Sequence, residues 1–462
     1  MASSRKSQLS PKPGKRIAVA LSGGLDSVVL LDTVCKAQAK ATTQNKTKDQ
    51  TKDQTKDQIY AFHIHHGLQK PADDWLIFCE KLAKQYKIHF DFRLLHLDDQ
   101  KEKGNIEARA RAGRYEALAD LCEEYGIEDL LLAHHQNDQA ETVLLQLIRG
   151  SGVAGLSGMP KARGLTTNQS LTLWRPLLNQ SRHELEAYAK EHKLKWIEDP
   201  SNQDRKYRRN AIRRDIIPKL EKIQPEALAN MARSAELLGE AQTLLNRLAK
   251  QDGKSILNKD QLKVVPLLAL AKDDLPAANN VLRYWLQTQQ LAMPSQERLQ
   301  AWWRDLAKVK TDAKLEWLHD DRKIYLWRGA LQVSNPNEGR WVLKSLPANS
   351  KQLGLPADWV KKAQENNQIT LRERLGSEKI QIKPETPRKT LKNLYQEADI
   401  PPWERQAPLL YIGDELIAVA GIGLSYPHLT SMGRRVLPEW VQNPVKLALF
   451  RPPRIHFLVT DS

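Results

Sequence analysis

The 462-residue sequence predicts an α/β fold: a doubly wound parallel sheet, followed by a helical domain and a small α+β domain. Buried strand patterns alternate with helical patterns up to residue 133, and a short loop rich in serine and glycine joins the first strand to the first helix. Such alternation is typical of a parallel sheet covered by helices. The alternation fades after about residue 220, which predicts a change of architecture there.

The elements follow from apolar runs and from helical spacing. The first strand is the run Arg-Ile-Ala-Val-Ala-Leu, and the second strand resumes the pattern after a polar insertion. Strands are predicted at 16–21, 59–65, 88–97 and 129–133, and helices at 28–39, 73–86 and 106–125.

A chain of this length exceeds one ordinary domain, and three are expected. They are a catalytic domain at 1–220, a helical domain at 221–345 and a C-terminal domain at 346–462. Residues 45–58 contain three copies of Thr-Lys-Asp-Gln and no apolar residue. Because such a stretch cannot form a core, the segment 36–58 is predicted to be a disordered insertion.

The charge balance indicates a polyanionic partner. The net charge is +16, from 71 Lys and Arg against 55 Asp and Glu. Such an excess favours nucleic acid over a membrane, since no basic amphipathic helix with an aromatic face is evident. No apolar stretch is long enough to span a bilayer. The cysteines Cys35, Cys79 and Cys122 are widely separated, which argues against a disulfide scaffold or an iron–sulfur cluster and favours the cytoplasm.

The loop Ser22-Gly23-Gly24-Leu25-Asp26-Ser27 lies between a buried strand and a helix. Free N–H groups at a helix start favour a phosphate, and glycines let the backbone approach it closely. A carboxylate such as Asp26 repels phosphates unless Mg²⁺ bridges the two. An ordinary strand–turn–helix connection is the plain alternative. The sequence has neither GxxxxGK[ST] nor GxGxxG, which disfavours a Walker-type NTPase and a dinucleotide dehydrogenase.

Polar residues also follow later strands. His63, His65 and His66 end the second strand, and His134 and His135 follow the strand at 129–133. Nucleotide contact or packing explains them better than zinc, because no supporting ligand spacing is present.

Three further groups carry charge. In a helix from residue 138, Asp138, Glu141 and Arg149 share one face and can hold a cation or an amine together with a phosphate, or form a surface ion pair. Arg111 lies four residues after Glu107, as in an intrahelical salt bridge. Around Tyr207, the dense basic segment 198–214, which includes Arg205, suits phosphates and an unpaired base.

Several motifs together resemble one family, the tRNA(Ile)-lysidine synthetases of the ATP pyrophosphatase (PP-loop) superfamily. The motifs are SGGLDS, HHGL, IEARARAGRY, AHHQNDQAETVLLQLIRGSGVAGLSGM, RPLL and DPSNQDRKYRRNAIR, in that order over residues 16–220. LKNLYQEADIPPWERQAPLLYIGDELIAVAG, at 391–421, resembles the C-terminal module of the longer members.

The resemblance implies a specific reaction. Members use ATP to attach free L-lysine to the wobble cytidine of a tRNA(Ile) with a CAU anticodon, through an adenylated base, which changes decoding from Met and AUG to Ile and AUA. It implies ATP at Ser22 to Ser27, with Asp26, Asp138 and Glu141 for Mg²⁺ or the lysine amine. Arg111 and Arg205 are candidates for the phosphates or the lysine carboxylate, and an acidic residue for the general base. No membrane and no obligatory protein partner is expected.

Asn137 departs from the Asp-Asp pair of many members. The competing interpretations are a tRNA thiolase of the same superfamily, a small-molecule amidotransferase-type pyrophosphatase, and an RNA-binding protein with a degenerate loop. The separated cysteines, the positive charge and the intact loop weigh against them in turn.

Overall fold

The structure is a computed structural model. It describes residues 16–44, 59–65, 72–95, 106–165, 168–198, 206, 208–309, 315–334, 339–347 and 350–442. The chain forms two compact units, Met1–Arg247 and Leu248–Ser462. Within the described residues, no helix is long and apolar enough to cross a membrane.

The first unit is built on a six-stranded sheet with the order β3-β2-β1-β4-β6-β5. All neighbours are parallel except β5 and β6, which are antiparallel. The strands are β1 Ile17–Ala20, β2 Ile59–His65, β3 His89–Leu94, β4 Asp129–Leu131, β5 Ala162–Leu165 and β6 Asn168–Trp174.

Helices cover both faces of this sheet. Helices α1, α2 and α6 pack on one face with Val19 and Ala61, whereas α3 packs on the other face with Ala18 and Phe62. The predicted doubly wound α/β domain is therefore confirmed. The helices of the first unit are α1 Leu25–Gln44, α2 Ala72–Tyr86, α3 Ile106–Glu124, α4 Gln136–Ile148, α5 Val153–Leu156, α6 Arg182–Glu191, α7 Arg208–Ala211, a π-helical turn Ile212–Ile216, α8 Ile217–Ile223 and α9 Ala227–Asp252, which crosses into the second unit.

The strand order reverses between β1 and β4. The chain moves from β1 outward to β2 and β3, then returns across the sheet to β4. In such sheets ligands bind beyond the carboxyl ends of the strands at this point. The loop after β1 and the residues after β4 are thus brought together.

The first helix is longer than predicted. It continues to Gln44, so the part of the predicted disordered insertion from 36 to 44 is helical. The Thr-Lys-Asp-Gln repeats at 47–58 lie outside the described residues.

The second unit begins with helices packed on a small sheet, around buried residues that include Leu267, Trp285 and Trp302. The helices confirm the predicted helical character, and the five-stranded antiparallel sheet, in the order β7-β8-β11-β10-β9, adds to it. The elements are β7 Leu257–Asn258, β8 Gln261–Lys263, α10 Val264–Asp273, α11 Leu275–Thr288, α12 Gln296–Lys308, β9 Glu316–His319, β10 Arg322–Trp327 and β11 Ala330–Val333.

The remainder of the second unit is a small α+β region, as predicted. It contains a three-stranded sheet β12-β20-β13, a four-stranded sheet β14-β17-β18-β19 and the pair β15-β16. The elements are β12 Gly339–Ser345, β13 Leu355–Pro356, α13 Ala357–Glu365, β14 Ile369–Arg372, β15 Lys379–Ile380, β16 Lys389–Thr390, α14 Leu391–Glu397, β17 Leu409–Ile412, β18 Glu415–Val419, β19 Gly423–Leu424 and β20 Arg435–Gln442.

Candidate active site

The loop after β1 is held in shape by its own serines. Ser27 Oγ donates to Gly24 O at 2.9 Å and accepts from Ser22 N at 3.2 Å. Ser22 Oγ lies 3.1 Å from Ser27 Oγ. Gly23 has φ +86°, a backbone conformation that glycine adopts without strain. The loop is therefore preorganised at the start of α1, where backbone N–H groups favour an anion.

Neighbouring elements seat this loop tightly. The ring nitrogen Nδ1 of His63 donates to Leu21 O at 2.8 Å, and Ile197 N donates to Gly23 O at 2.9 Å. A Cβ added to Gly23 would lie 3.2 Å from Cys79 Sγ and 3.3 Å from Ile197 Cδ1. Burial lowers the pKa of His63, so its ring stays neutral and keeps the tautomer that donates to Leu21.

His135 joins the loop to α4. Its Nε2 lies 3.5 Å from Asp26 Oδ2 and 3.5 Å from Asp138 Oδ2, and its backbone N donates to Asp138 Oδ2 at 3.1 Å. Burial alone lowers the pKa of His135, but the hydrogen bond with Asp26 and the charge of Asp138 outweigh it and raise that pKa. Burial likewise raises the pKa of Asp138, yet His135 and Arg209 hold it below its usual range.

Three buried polar atoms at this junction have no hydrogen-bond partner within the described part of the chain: Asp26 Oδ1, His134 Nδ1 and His135 Nδ1. Buried polar atoms in folded proteins are almost always paired. Burial lowers the pKa of His134 to about 3, so its ring is neutral. A bound ligand or water would supply the bonds that these atoms lack.

Glu141 is fully buried and is neutralised by two arginines of the basic segment. Arg209 Nε donates to Glu141 Oε2 at 2.6 Å, and Arg213 Nε donates to Glu141 Oε1 at 2.5 Å. Arg209 Nη2 also donates to Asp138 Oδ1 at 3.0 Å. Two arginines expected to need an external anion thus find carboxylates in the same chain.

Asn137 has a structural part in the site. Its Oδ1 accepts from Arg182 N at 3.0 Å, which ties the start of α4 to the start of α6. Arg182 Nη1 then lies 3.8 Å from Asp26 Oδ2. The amide that departs from the expected carboxylate pair therefore helps to place a cation beside Asp26.

Arg111 lies in a group of arginines around Tyr115. Its guanidinium carbon is 5.8 Å from the centroid of the Tyr115 ring, as is that of Arg114. Arg175, which follows β6, is buried and also interacts with Tyr115. The candidate residues thus form two neighbouring groups, one anionic around Asp138 and one cationic around Tyr115.

The structure brings Asp26 and Asp138 together through His135, with Glu141 one turn further along α4. Arg205 and Tyr207 lie outside the described residues. Arg149, expected on the same helix face, caps the exposed far end of α4. Arg182 and Arg175 were not predicted from the sequence, because only the fold brings them beside residues 26 and 115.

The carboxylates suit a hard cation. Asp26 and Asp138 supply the oxygen ligands that Mg²⁺ prefers, and Asp26 Oδ1 is buried without a partner among the described residues. In the same part of the chain, no group of three or more His, Cys, Asp and Glu is arranged to hold a metal. A zinc cage is therefore not seen there. Mg²⁺ commonly takes one or two carboxylates and fills its shell with water and phosphate oxygens, which this pair allows.

Three family matches divide the chain. Residues 1–220 match the PP-loop domain, residues 266–332 match the TilS substrate binding domain, and residues 369–437 match the TilS substrate C-terminal domain. A solved structure, the U34-tRNA thiolase NcsA from Methanococcus maripaludis with its [4Fe-4S] cluster, is 22% identical, covers 49% of this chain and 74% of its own, and has a TM-score of 0.40. That likeness is too distant to bear on the substrate.

Full-length relatives are closer. The tRNA(Ile)-lysidine synthase of Nitrosomonas europaea is 35% identical over 428 residues, which is 89% of each chain. That of Coxiella burnetii is 35% identical over 87% of this chain and 88% of its own, and that of Serratia proteamaculans is 35% identical over 91% and 94%. The chain belongs to the tRNA(Ile)-lysidine synthase family.

Proposed function

We propose that the chain uses ATP to ligate free L-lysine to the wobble cytidine of a tRNA(Ile) with a CAU anticodon, forming lysidine. Relatives of this name match the chain nearly end to end, and the PP-loop domain implies the use of ATP. The observation that carries the proposal is the junction at His135, which places Asp26 of the phosphate loop beside Asp138 of α4. The tRNA(Ile) substrate and the ligase activity follow from family membership; the lysine and the residue roles are the proposal.

The reaction takes two steps. The carbonyl oxygen of the cytosine attacks the α-phosphorus of ATP and releases pyrophosphate, giving an adenylated base. The side-chain amine of lysine then attacks the ring carbon that carries the adenylated oxygen, loses a proton and displaces AMP. Adenylation makes a poor leaving group into a good one, so the protein's task is to align three reactants and offset charge.

The loop Ser22–Ser27 is proposed to hold the ATP phosphates. The loop lies at the start of α1, and its serine hydroxyls and the N–H of Ser22 are fixed by hydrogen bonds within the loop. Arg182, 3.8 Å from Asp26, adds a cation at the same place. Preorganised donors and cations favour charge that develops on the phosphates.

Asp26 and Asp138 are proposed to hold Mg²⁺ together with phosphate oxygens. When bound, this ion would draw charge from the phosphates and screen them from the two carboxylates. His135 keeps the carboxylates at one position by lying 3.5 Å from each.

Asp138 and Glu141 are proposed to receive the lysine amine. Glu141 is enclosed by Arg209 and Arg213, so Asp138, which is less buried, is the better placed of the two. Asp138 is also the candidate general base, because an ionised carboxylate beside the amine can take its proton. Arg111, with Arg205 in the same role, remains a candidate for a phosphate or for the lysine carboxylate.

We also propose that the enzyme works in the cytoplasm, where its RNA substrate is found, without an obligatory protein partner. The three cysteines are free thiols, and burial raises the pKa of each to about 12. Such thiols are protonated and unreactive at neutral pH, as suits a reducing compartment.

The first step can be tested without lysine. Exchange of labelled pyrophosphate into ATP, measured with CAU-anticodon tRNA(Ile), reports the adenylated base. We expect tRNA-dependent exchange in the wild type, a loss of at least about a hundredfold in Asp26→Ala, and little change in Asp120→Ala, an exposed carboxylate on α3. Exchange that needs no tRNA would refute the adenylated base as the intermediate. Exchange that survives Asp26→Ala would refute the assignment of the loop.

A further inference from the structure

A group of arginines surrounds Tyr115 next to the carboxylates, and is named the arginine cluster here. It consists of Arg111 and Arg114 on α3, Arg163 on β5 and Arg175 after β6. The guanidinium carbons of Arg111 and Arg114 each lie 5.8 Å from the centroid of the Tyr115 ring. Four positive side chains therefore converge on one aromatic residue.

Arg175 is the buried member of the arginine cluster, with 4% of its surface exposed. Its Nη1 donates to Pro160 O at 2.7 Å, while its buried Nε has no hydrogen-bond partner among the residues that the structure describes. Buried guanidinium groups are normally paired with an anion. Burial lowers the pKa of Arg175, the charges of Arg163 and Arg111 lower it further, and Tyr115 acts in the opposite direction.

The positive potential is felt by the Tyr115 phenol. Burial alone raises the pKa of Tyr115, but the charges of Arg111, Arg114 and Arg175 outweigh it and lower that pKa. Burial lowers the pKa of Arg114, and repulsion from Arg111 lowers it further. Within the described residues, the positive charges of the arginine cluster thus act on one another, whereas Arg209 and Arg213 of the neighbouring site meet carboxylates.

The order of strands sets the order of the subsites. The phosphate loop follows β1, the residues His134 to Asp138 follow β4, and Arg175 follows β6. Arg163 on β5 pairs with Leu173 near the carboxyl end of β6, so it lies at the same end of the sheet. At this end of the sheet the carboxylates lie between the ATP loop and the arginine cluster.

We propose that the arginine cluster binds a phosphodiester group of the tRNA next to the target cytidine. The inference rests on the proposed function, in which the cytosine lies at the carboxylates with ATP on the β1 side. A base inserted there brings its backbone with it, and the β6 side carries the cations that meet this backbone. Guanidinium forks match phosphate oxygens in a bidentate manner.

Two other anions share part of this chemistry, and Arg111 is a candidate for either of them in the proposed function. The ATP phosphates belong at the start of α1, which lies across β4 from the cluster. A lysine carboxylate carries one charge and does not require four arginines around one ring. A polyanionic backbone explains the excess better, and the other two anions become outcomes of the test.

The test uses the full-length protein and an anticodon stem-loop RNA with a CAU anticodon, in the absence of ATP and lysine. The Kd is measured over a range of salt concentrations for the wild type, Arg163→Gln and Arg114→Gln. Arg93→Gln is the matched control, because Arg93 lies on the far edge strand β3 and is already paired with Asp91 and Glu124. Parallel RNAs carry a neutral methylphosphonate on the 5′ or the 3′ side of the target cytidine.

Both cluster variants are expected to bind several-fold more weakly, with the slope of log Kd against log salt reduced by about 0.7 for each RNA phosphate that an arginine no longer neutralises. One of the methylphosphonate RNAs is expected to bind the wild type as weakly as the unmodified RNA binds the variants, and to bind the variants no more weakly than that. Arg93→Gln is expected to behave as the wild type. If Arg114→Gln lowers the melting temperature, the result for Arg163→Gln decides the test, because Arg163 is exposed.

Unchanged RNA affinity and salt slope in Arg163→Gln and Arg114→Gln would overturn the proposal. A raised KM for lysine alone would then assign the cluster to the lysine carboxylate, and a raised KM for ATP alone to the ATP phosphates. Because binding is measured without catalysis, a failure of lysidine formation leaves this result intact.

Discussion

His135 is the residue on which the site depends most. One of its two ring nitrogens, Nε2, lies 3.5 Å from the carboxylates of both Asp26 and Asp138, which follow different strands. His63 has a similar supporting role at the phosphate loop, where its Nδ1 donates to Leu21 O. Histidines at strand ends were expected from the sequence to contact a nucleotide or to pack. The structure places these two as supports of the loop and of the carboxylates.

Replacing Gly23 is predicted to destabilise the folded loop. In Gly23→Ala, a Cβ at φ +86° meets Cys79 Sγ at 3.2 Å, so we expect a loss of about 1–3 kcal/mol in the free energy of unfolding. Gly24→Ala is the matched control, because its Cβ meets nothing closer than 3.6 Å and costs less than about 1 kcal/mol. Urea unfolding of both variants measures the difference, and equal stabilities would contradict the packing account.

His63 gives a prediction about pH. Its pKa is lowered in the folded protein, so the unfolded chain binds more protons and the stability falls as pH falls through about 6.5. In His63→Gln, whose amide still donates to Leu21 O, we expect the loss of stability between pH 7 and pH 5 to be shallower than in the wild type. The difference in slope stays below about 1.4 kcal/mol per pH unit. Parallel slopes in urea unfolding at the two pH values would show that His63 does not titrate this way.

At the scale of elements, the segment from α7 through the π-helical turn clamps α4. Arg209 and Arg213 hold Glu141, which has no exposed surface, and π turns often mark functional sites. These arginines and the glutamate are far apart in the sequence, so no local pattern reveals that they neutralise each other. The density of arginines predicts a bound anion there, and in the structure that anion is Glu141 of the same chain.

The clamp predicts a hierarchy of stabilities. Arg209→Gln and Arg213→Gln should each destabilise the first unit by about 1–3 kcal/mol, because a buried carboxylate loses a partner. Arg214→Gln, an exposed neighbour on the same turn, should change stability by less than about 0.5 kcal/mol. Thermal unfolding of the three variants gives the comparison. Three equal effects would mean that only the net charge of the segment matters.

How far the sequence predicts each element depends on burial. Strand β2 matches its prediction at both ends, because all seven of its residues are buried and five of them are apolar or aromatic. The strands β7 to β11 were not predicted, since they are short and lie among helices with similar composition. Asp26, Asp138 and Glu141 are predicted from their motifs, whereas only the fold brings Arg175 and Arg182 beside residues 115 and 26.

At the scale of the whole molecule, the net charge of +16 and the two regions that match TilS domains, 266–332 and 369–437, are typical of an enzyme that binds a large RNA. We propose that the regions predicted at 221–345 and 346–462 bind the tRNA body. A truncation that tests this has to begin before Gly339, because β12 pairs with β20.

Removing residues 335–462 is expected to weaken tRNA binding by at least about tenfold while the Kd for ATP stays within about twofold, since the phosphate loop lies in the first unit. Filter binding and nucleotide titration measure the two quantities on one preparation. A weakened ATP affinity would indicate a damaged fold, and an unchanged tRNA affinity would refute the role of the C-terminal region.

Lysidine formation is measured by the transfer of labelled lysine to a CAU-anticodon tRNA(Ile) transcript, with and without ATP. A tRNA(Met) transcript and Asp26→Ala accompany it. We expect labelling that requires ATP and tRNA(Ile), that is lost in Asp26→Ala, and that is matched by one AMP for each lysine transferred. AMP formation stimulated by tRNA(Ile) without any transfer of lysine would rule out lysine ligation and point to another nucleophile.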